Sequence, residues 1–131
     1  MTITYEELTS YLESIGGLKC PKWRLDDTGD NFVTVTDPYF FEIGAGWYGL
    51  IKNMIGEMIE AGWDKEVHQV KEKYGTLRFY TGGATDKMYE IIREYERVSA
   101  VTCEVCGEVG QIRPGGWVTT LCDTHYEQRS V

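Results

Sequence analysis

The sequence predicts an α+β fold in which three helices pack on a small, mainly antiparallel sheet and a short cysteine-containing ribbon follows. Apolar residues recur at helical spacing in three segments, and two alternating segments are joined by a glycine-containing turn. The 131 residues are 42% hydrophobic and 26% charged, which is typical of one globular domain. We therefore expect an α+β core domain over residues 1–100, with the ribbon over residues 101–131 packed against it.

Three helices are predicted from apolar periodicity and from the residues that cap them. Thr4 and Glu7 have the spacing of a capping box at the start of the first helix. The second helix runs from residue 47 to about residue 61 and ends at Gly62. Thr85 caps a third helix, which leads the chain to the ribbon. Much of the packing around the glycine-rich junctions is expected from the four tryptophans, Trp23, Trp47, Trp63 and Trp117.

The segment between the first two helices combines a loop, a strand and a glycine-rich turn. Residues 20–31 are predicted to be a loop because they are rich in turn formers, and residues 32–36 alternate as a short strand does. Two glycines in residues 40–47 let the chain turn sharply into the second helix, and we expect this junction to form a pocket wall. The loop also contains three aspartates, interpreted as turn residues because their spacing matches no calcium loop: Asp26, Asp27 and Asp30.

A hairpin over residues 67–73 and 76–81 turns at Tyr74-Gly75. Leu77 and Phe79 are expected to face the core, so other residues of the hairpin point away from it. Together with two ribbon residues they are candidates for a groove that binds an anion or a nucleotide: Lys71, Lys73, Arg78, Tyr80, Arg113 and Trp117. The alternative is that the cations form a solvated face and that the two aromatic residues pack against the sheet.

Four metal-ligand residues stand near the C-terminus as two pairs, each separated by two residues: Cys103, Cys106, Cys122 and His125. Zinc in structural sites takes four nitrogen or sulfur ligands in a tetrahedron, and two closely spaced pairs supply them from two tight turns. Residues 109–121, between the pairs, resemble a hairpin that turns at residues 114–116. The spacing therefore predicts a zinc ribbon whose Zn²⁺ is structural, because four protein ligands leave no position open for a substrate.

Charge and cysteine usage narrow the class of protein. Thirteen Lys and Arg against twenty-one Asp and Glu give a net charge of -8, which disfavours non-specific binding to nucleic acid or to anionic membranes. The sequence contains no apolar run of membrane-spanning length, and its start lacks the features of an export signal. We therefore expect a cytoplasmic protein, in which the three clustered cysteines bind metal instead of forming disulfides and the isolated Cys20 is a buried thiol.

Three blocks of the sequence resemble a family of small uncharacterised proteins of bacteriophages and prophages. They are residues 42–51 (EIGAGWYGLI), residues 69–80 (QVKEKYGTLRFY) and the tail formed by CEVCG, GW and LCDTH within residues 103–125. The family brings no established activity. The resemblance implies an accessory role in the cytoplasm of a bacterial host, for example in counter-defence, exerted by binding host factors or their signalling molecules.

Three functional hypotheses follow. The first is a non-enzymatic protein that binds a host protein or sequesters a small nucleotide-like ligand. The second is nucleic-acid recognition by the zinc ribbon, although the ribbon contains few cations. The third is an enzyme that uses His68, Cys20 or an acidic cluster, and we rank it last because the sequence shows no catalytic motif. The oligomeric state stays open.

Overall fold

The computed structural model describes residues 2–25, 29 and 31–129, and these confirm the α+β class. The helices are α1 (Tyr5–Ser14), α2 (Lys22–Leu25), α3 (Tyr48–Glu60), α4 (Asp86–Ser99) and α5 (Asp123–Arg129). The strands are β1 (Leu18–Pro21), β2 (Phe32–Val35), β3 (Val67–Lys73), β4 (Thr76–Thr81), β5 (Gln111–Arg113) and β6 (Thr119–Leu121). The three predicted helices correspond to α1, α3 and α4. The predicted number is wrong, because the described residues form five helices.

The expectation of one small sheet also needs correction. Within the described part of the chain, the strands form three separate two-stranded antiparallel sheets, which pair β1 with β2, β3 with β4 and β5 with β6. Single parallel bridges, Lys19 with Glu66 and Glu42 with Lys71, connect neighbouring segments without extending these sheets. The segment predicted as a loop contains β1 and α2, while Asp26, Asp27 and Asp30 lie outside the described residues.

Side-chain caps fix the starts of α1 and α4 as the sequence predicts. In α1 the amide N–H of Glu7 donates to the Thr4 hydroxyl, and the Thr4 N–H donates to the Glu7 carboxylate, each over 3.0 Å. This reciprocal capping box satisfies two donors that a helix start would otherwise leave unpaired. Thr85 caps α4 by accepting a hydrogen bond from the amide N–H of Met88. The two helices therefore begin at the predicted residues.

The β3–β4 hairpin has the predicted turn. Tyr74 and Gly75 both have positive φ angles, of 53° and 83°, as a type I′ hairpin turn requires. Burial alternates along β4, since Leu77 and Phe79 are buried while Tyr80 is 44% exposed. The hairpin thus places one face on the core and presents the other to solvent, as expected.

The core contains two of the four tryptophans. Trp47 and Trp63 are buried, whereas Trp23 is 48% and Trp117 is 73% exposed. Of the four tryptophans expected to pack around the glycine-rich junctions, Trp23 and Trp117 therefore lie mostly outside the core. Among the described residues, no helix is long and apolar enough to cross a membrane.

Candidate metal centre

The first ligand pair lies on a tight turn just after α4. The amide N–H of Gly107 donates a 2.9 Å hydrogen bond to the carbonyl oxygen of Cys103, which closes the turn around Cys106. Gly107 has a φ of +83°, a conformation that side chains other than glycine rarely adopt. A second hydrogen bond, from the Cys103 N–H to the Glu108 carbonyl oxygen, measures 2.7 Å. Both cysteine thiols are thereby held on the same side of the turn.

The second ligand pair spans the junction between β6 and α5. Cys122 follows the last strand residue, and His125 lies in the first turn of the helix. The amide N–H of Tyr126 donates to the Cys122 carbonyl oxygen over 2.9 Å, so the chain is already helical between the two ligands. Residues three apart on a helix share a face, which is why Cys122 and His125 point to the same place.

The four ligand atoms of this Cys₃His cluster lie within 4.8 Å of one another. The Sγ atoms of Cys106 and Cys122 are 3.8 Å apart, and Nδ1 of His125 lies 3.2 Å from Cys122 Sγ and 3.6 Å from Cys103 Sγ. All three cysteines are free thiols. Tetrahedral sulfurs bound to zinc at about 2.3 Å lie about 3.8 Å apart. The arrangement thus fits one tetrahedral metal ion, and the prediction that these residues converge is confirmed.

Backbone N–H groups prepare one thiol of the cluster for ionisation. Burial raises the pKa of Cys103, but backbone N–H groups of Cys122, Cys106 and Val105 outweigh it and lower this pKa to about 6. At Cys106 the N–H of Glu108 lowers the pKa, yet burial and the neighbouring thiols leave it raised. Three crowded thiols cannot all ionise without a cation between them, which is the charge environment that a metal ion relieves.

The cluster is fastened to the core by the residues that flank Cys103. The indole N–H of Trp47 donates a 2.8 Å hydrogen bond to the Thr102 carbonyl oxygen. The amide N–H of Gly46 donates a 2.7 Å hydrogen bond to the backbone carbonyl oxygen of Glu104. The amide N–H of Gly44 donates a 2.9 Å hydrogen bond to the side-chain carboxylate of Glu104. The glycine-rich junction before α3 therefore contacts the first ligand turn directly. Glu104 was not among the residues singled out in the sequence, because nothing local marks it.

Both arginines of the ribbon donate hydrogen bonds to other ribbon residues. Arg113 is only 9% exposed, and it donates to the Leu121 carbonyl oxygen over 3.1 Å and to the Asp123 carboxylate over 2.7 Å. Arg129 donates a 3.0 Å hydrogen bond to the carbonyl oxygen of Trp117. Arg113 therefore supports the ribbon from within and offers little surface to a ligand.

The remaining groove residues lie on the β3–β4 hairpin and, for Trp117, at the ribbon tip. Lys71 lies directly opposite Arg78 in the β3–β4 pairing, and Tyr80 lies two residues further along the same strand, so these three share one face. We call this surface the hairpin face. Lys73, two residues from Lys71 on β3, and Trp117 of the ribbon line a cavity of about 370 Å³ at the ribbon tip.

The two other candidates of the sequence, His68 and Cys20, lie near each other but do not form a nucleophile–base pair. Nε2 of His68 is 2.6 Å from the Glu66 carboxylate, and Trp23 packs edge-on against the imidazole. Cys20 is fully buried, and its Sγ lies 4.0 Å from the carbonyl oxygen of His68. Burial raises the pKa of the Cys20 thiol, which keeps it protonated near neutral pH.

The fold and the cluster define the chain as a small α+β protein that carries a candidate Cys₃His metal centre. No protein-family model, curated protein or solved structure matches the chain. Function is therefore inferred from the chemistry of the described residues.

Proposed function

We propose that Cys103, Cys106, Cys122 and His125 bind one zinc ion, and that its role is structural. The observation that carries this proposal is the convergence of three sulfurs and one imidazole nitrogen within 4.8 Å. Thiolate and imidazole ligands in a tetrahedral set favour zinc over magnesium or calcium, which prefer oxygen. Four protein ligands fill the coordination sphere, so the ion stabilises the ribbon and leaves no open position for catalysis.

We further propose that the protein acts by binding a partner and not as an enzyme. The neighbours of the two strongest catalytic candidates support this view. The Cys20 thiol is buried and contacts backbone oxygens, and the His68 imidazole is paired with a carboxylate under an indole ring. The two residues therefore do not provide an activated nucleophile with a general base beside it.

The partner that we propose is a host protein or a small nucleotide-like ligand, in keeping with the resemblance to phage and prophage proteins. For a nucleotide-like anion, the hairpin face offers Lys71 and Arg78 side by side, with Tyr80 available for stacking. Tyr80 is 44% exposed, which leaves its ring accessible. This surface is the first candidate for a phosphate-bearing ligand.

Recognition of nucleic acid by the ribbon receives less support. Arg113 and Arg129 are the only Lys or Arg residues after position 100, and both donate hydrogen bonds within the ribbon. Phosphate binding requires cations that are free to approach the backbone. The ribbon is thus better suited to a structural role than to contacts with nucleic acid.

Metal analysis of the purified protein tests the zinc assignment. We expect about one equivalent of zinc per chain, retained in a Cys20→Ala variant and lost in Cys106→Ser. The Cys20 variant is the matched control because it removes a thiol that lies outside the cluster. Less than half an equivalent in freshly prepared wild-type protein, or full zinc content in Cys106→Ser, would rule the site out.

A thermal-shift screen with nucleotides and cyclic dinucleotides tests the hairpin face. A ligand that binds only the folded protein raises the melting temperature. We expect any such rise to disappear in Arg78→Ala and to persist in Arg97→Ala, which removes an exposed arginine of α4. A ligand whose effect is unchanged in Arg78→Ala binds elsewhere.

A further inference from the structure

A cleft of about 1010 Å³ opens between the ribbon tip and the segment that leads into α3. Its lining comes from six parts of the chain: α1, α2, residues 38–43, the start of α3, β3 and the ribbon. The cleft is distinct from the hairpin face, because Lys71, Arg78 and Tyr80 do not line it. It shares Glu72 and Trp117 with the smaller cavity beside Lys73, so the two concave regions adjoin.

Negative charge predominates in this cleft. Three carboxylates line it, those of Glu42, Glu72 and Glu104, against one cation, Arg24. In the part of the chain that the structure describes, none of these carboxylates forms a salt bridge. The hydrogen bonds they accept come from backbone N–H groups of Gly44 and Gly75 and from a side-chain amide.

The two cations nearby, Arg24 and Lys73, are fewer than the three carboxylates, and each has a contact of its own. Arg24 directs its Nε toward the His68 carbonyl oxygen at 3.4 Å. Lys73, which lines only the adjoining cavity, places its ammonium 5.6 Å from the centre of the Tyr74 ring. The concave surface as a whole therefore presents an excess of carboxylate to a ligand.

Two aromatic rings are exposed where the cleft meets solvent. Tyr39 is 85% and Trp117 is 73% exposed, although both line the cleft. Exposed tryptophan and tyrosine side chains are enriched at the centres of protein interfaces, where they contribute much of the binding energy. Aromatic faces also attract the guanidinium and ammonium groups of Arg and Lys.

From this combination of concave shape, carboxylates without a salt bridge and exposed rings, we infer that the cleft binds a basic peptide segment of a partner protein. Arginine or lysine side chains would pair with Glu42 and Glu72 while their neighbours pack against Tyr39 and Trp117. The volume lies at the upper limit for small-molecule sites, which span roughly 300–1,000 Å³. A segment of several residues suits it better than a single amine. The net charge of -8 also favours the approach of a positively charged partner.

The inference rests on the proposed binding role, but it does not depend on the zinc assignment or on the hairpin face. The test measures, by fluorescence anisotropy, how tightly the full chain as purified binds a fluorescein-labelled hexapeptide of alternating arginine and leucine. A peptide with glutamine in place of each arginine is the reference. We expect the arginine peptide to bind at least about tenfold more tightly at low salt, a difference of about 1.4 kcal/mol.

Matched variants separate the cleft from the overall acidity of the protein. The double variant Glu42→Gln/Glu72→Gln removes two charges from the cleft, and Glu90→Gln/Glu127→Gln removes two charges from exposed positions outside it. Glutamine at position 72 keeps an acceptor for the Gly75 N–H. Trp117→Ala is compared with Tyr89→Ala, which removes an exposed ring from α4. Glu104 is left unchanged because it supports the metal-ligand turn.

We expect the cleft double variant and Trp117→Ala each to weaken binding by at least about fivefold, a loss of about 1 kcal/mol. Each control should change it by less than about twofold, and all variants should retain their zinc. The inference is overturned if the arginine peptide binds no better than the glutamine peptide, or if the two double variants lose affinity equally. If the wild-type protein does not bind the arginine peptide but a nucleotide still raises its melting temperature in an Arg78-dependent way, this inference alone is overturned. The proposed function then stands.

Discussion

The amide N–H of Gly46 lies 2.7 Å from the carbonyl oxygen of Glu104, so the entry to α3 is hydrogen-bonded to the first metal-ligand turn. The fit between the two segments is close. A Cβ atom added at Gly46 would overlap the carbonyl oxygen of Cys103, and one added at Gly44 would overlap the backbone of Glu104. The glycines here provide space, which lets the core and the ribbon approach backbone to backbone.

Gly46→Ala should therefore destabilise the protein and weaken its hold on the metal. The added methyl group must displace the Cys103 carbonyl oxygen, and such overpacking costs about 1–3 kcal/mol. The measurements are urea unfolding and zinc affinity in competition with a chelator. Gly116→Ala is the control, because a Cβ at Gly116 meets no atom within 4 Å. Equal stability of the two variants would show that the contact between Gly46 and Cys103 is not tight in solution.

Arg113→Ala should lower the stability of the ribbon. The change removes hydrogen bonds to the Leu121 carbonyl oxygen and the Asp123 carboxylate, and it leaves a carbonyl oxygen in a buried place without its donor. We expect a loss of about 1.5–3 kcal/mol in the free energy of unfolding. Asp123→Asn should cost less, because the Asp123 side chain is 85% exposed. Thermal unfolding, monitored by circular dichroism, measures the stability of both variants. The prediction is contradicted if Asp123→Asn lowers the stability as much as Arg113→Ala does.

The sequence was most informative where a structural signal is local. Thr4 and Glu7 are three residues apart, Tyr74 and Gly75 are adjacent, and each ligand pair spans a single turn. In these cases the residues that determine the geometry are neighbours in the chain, so spacing alone predicted the cap, the hairpin turn and the cluster.

The errors concern elements whose stability comes from distant partners. β1 contains only four residues and ends at Pro21, so it shows no clear alternation until it is paired with β2. α5 has no buried residue, so apolar periodicity could not predict it. The cleft joins Tyr39, Glu72 and Trp117, which only tertiary structure brings together.

Glu96 of α4 provides a pH-dependent prediction. Its carboxylate accepts the Phe79 N–H over 3.1 Å, and burial raises its pKa more than this hydrogen bond and the charges of Arg78 and Arg93 lower it. A raised pKa in the folded state means that folding favours the protonated carboxyl. Its contribution to stability is therefore complete below the unfolded-state pKa and is lost as the pH rises through the folded-state pKa.

Glu96→Gln mimics the protonated form and should raise the free energy of unfolding near about pH 7, with no gain near about pH 3. Urea unfolding at both pH values measures the difference. Glu90→Gln serves as the control, since Glu90 is an exposed residue of the same helix. A gain of equal size at both pH values would contradict the assignment of the effect to ionisation.

Thr120 of the ribbon forms a hydrogen bond to the turn of the β3–β4 hairpin. It is fully buried, and its hydroxyl donates to the carbonyl oxygen of Gly75 at the hairpin turn. Thr120→Val keeps the shape of the side chain but removes the donor, which leaves the Gly75 carbonyl oxygen without this partner. We expect a loss of about 1–3 kcal/mol in the free energy of unfolding. Hydrogen exchange at the amides of the turn should become faster.

Thr120→Ser separates the hydrogen bond from the packing. It keeps the hydroxyl and loses one methyl group, a change worth about 1 kcal/mol in a packed interior. If the hydrogen bond couples the ribbon to the hairpin, Thr120→Ser retains slow exchange at the turn while Thr120→Val does not. Both variants should bind a full equivalent of metal, because Thr120 is not a ligand. Faster exchange in the serine variant alone would mean that the methyl group, and not the hydroxyl, holds the two elements together.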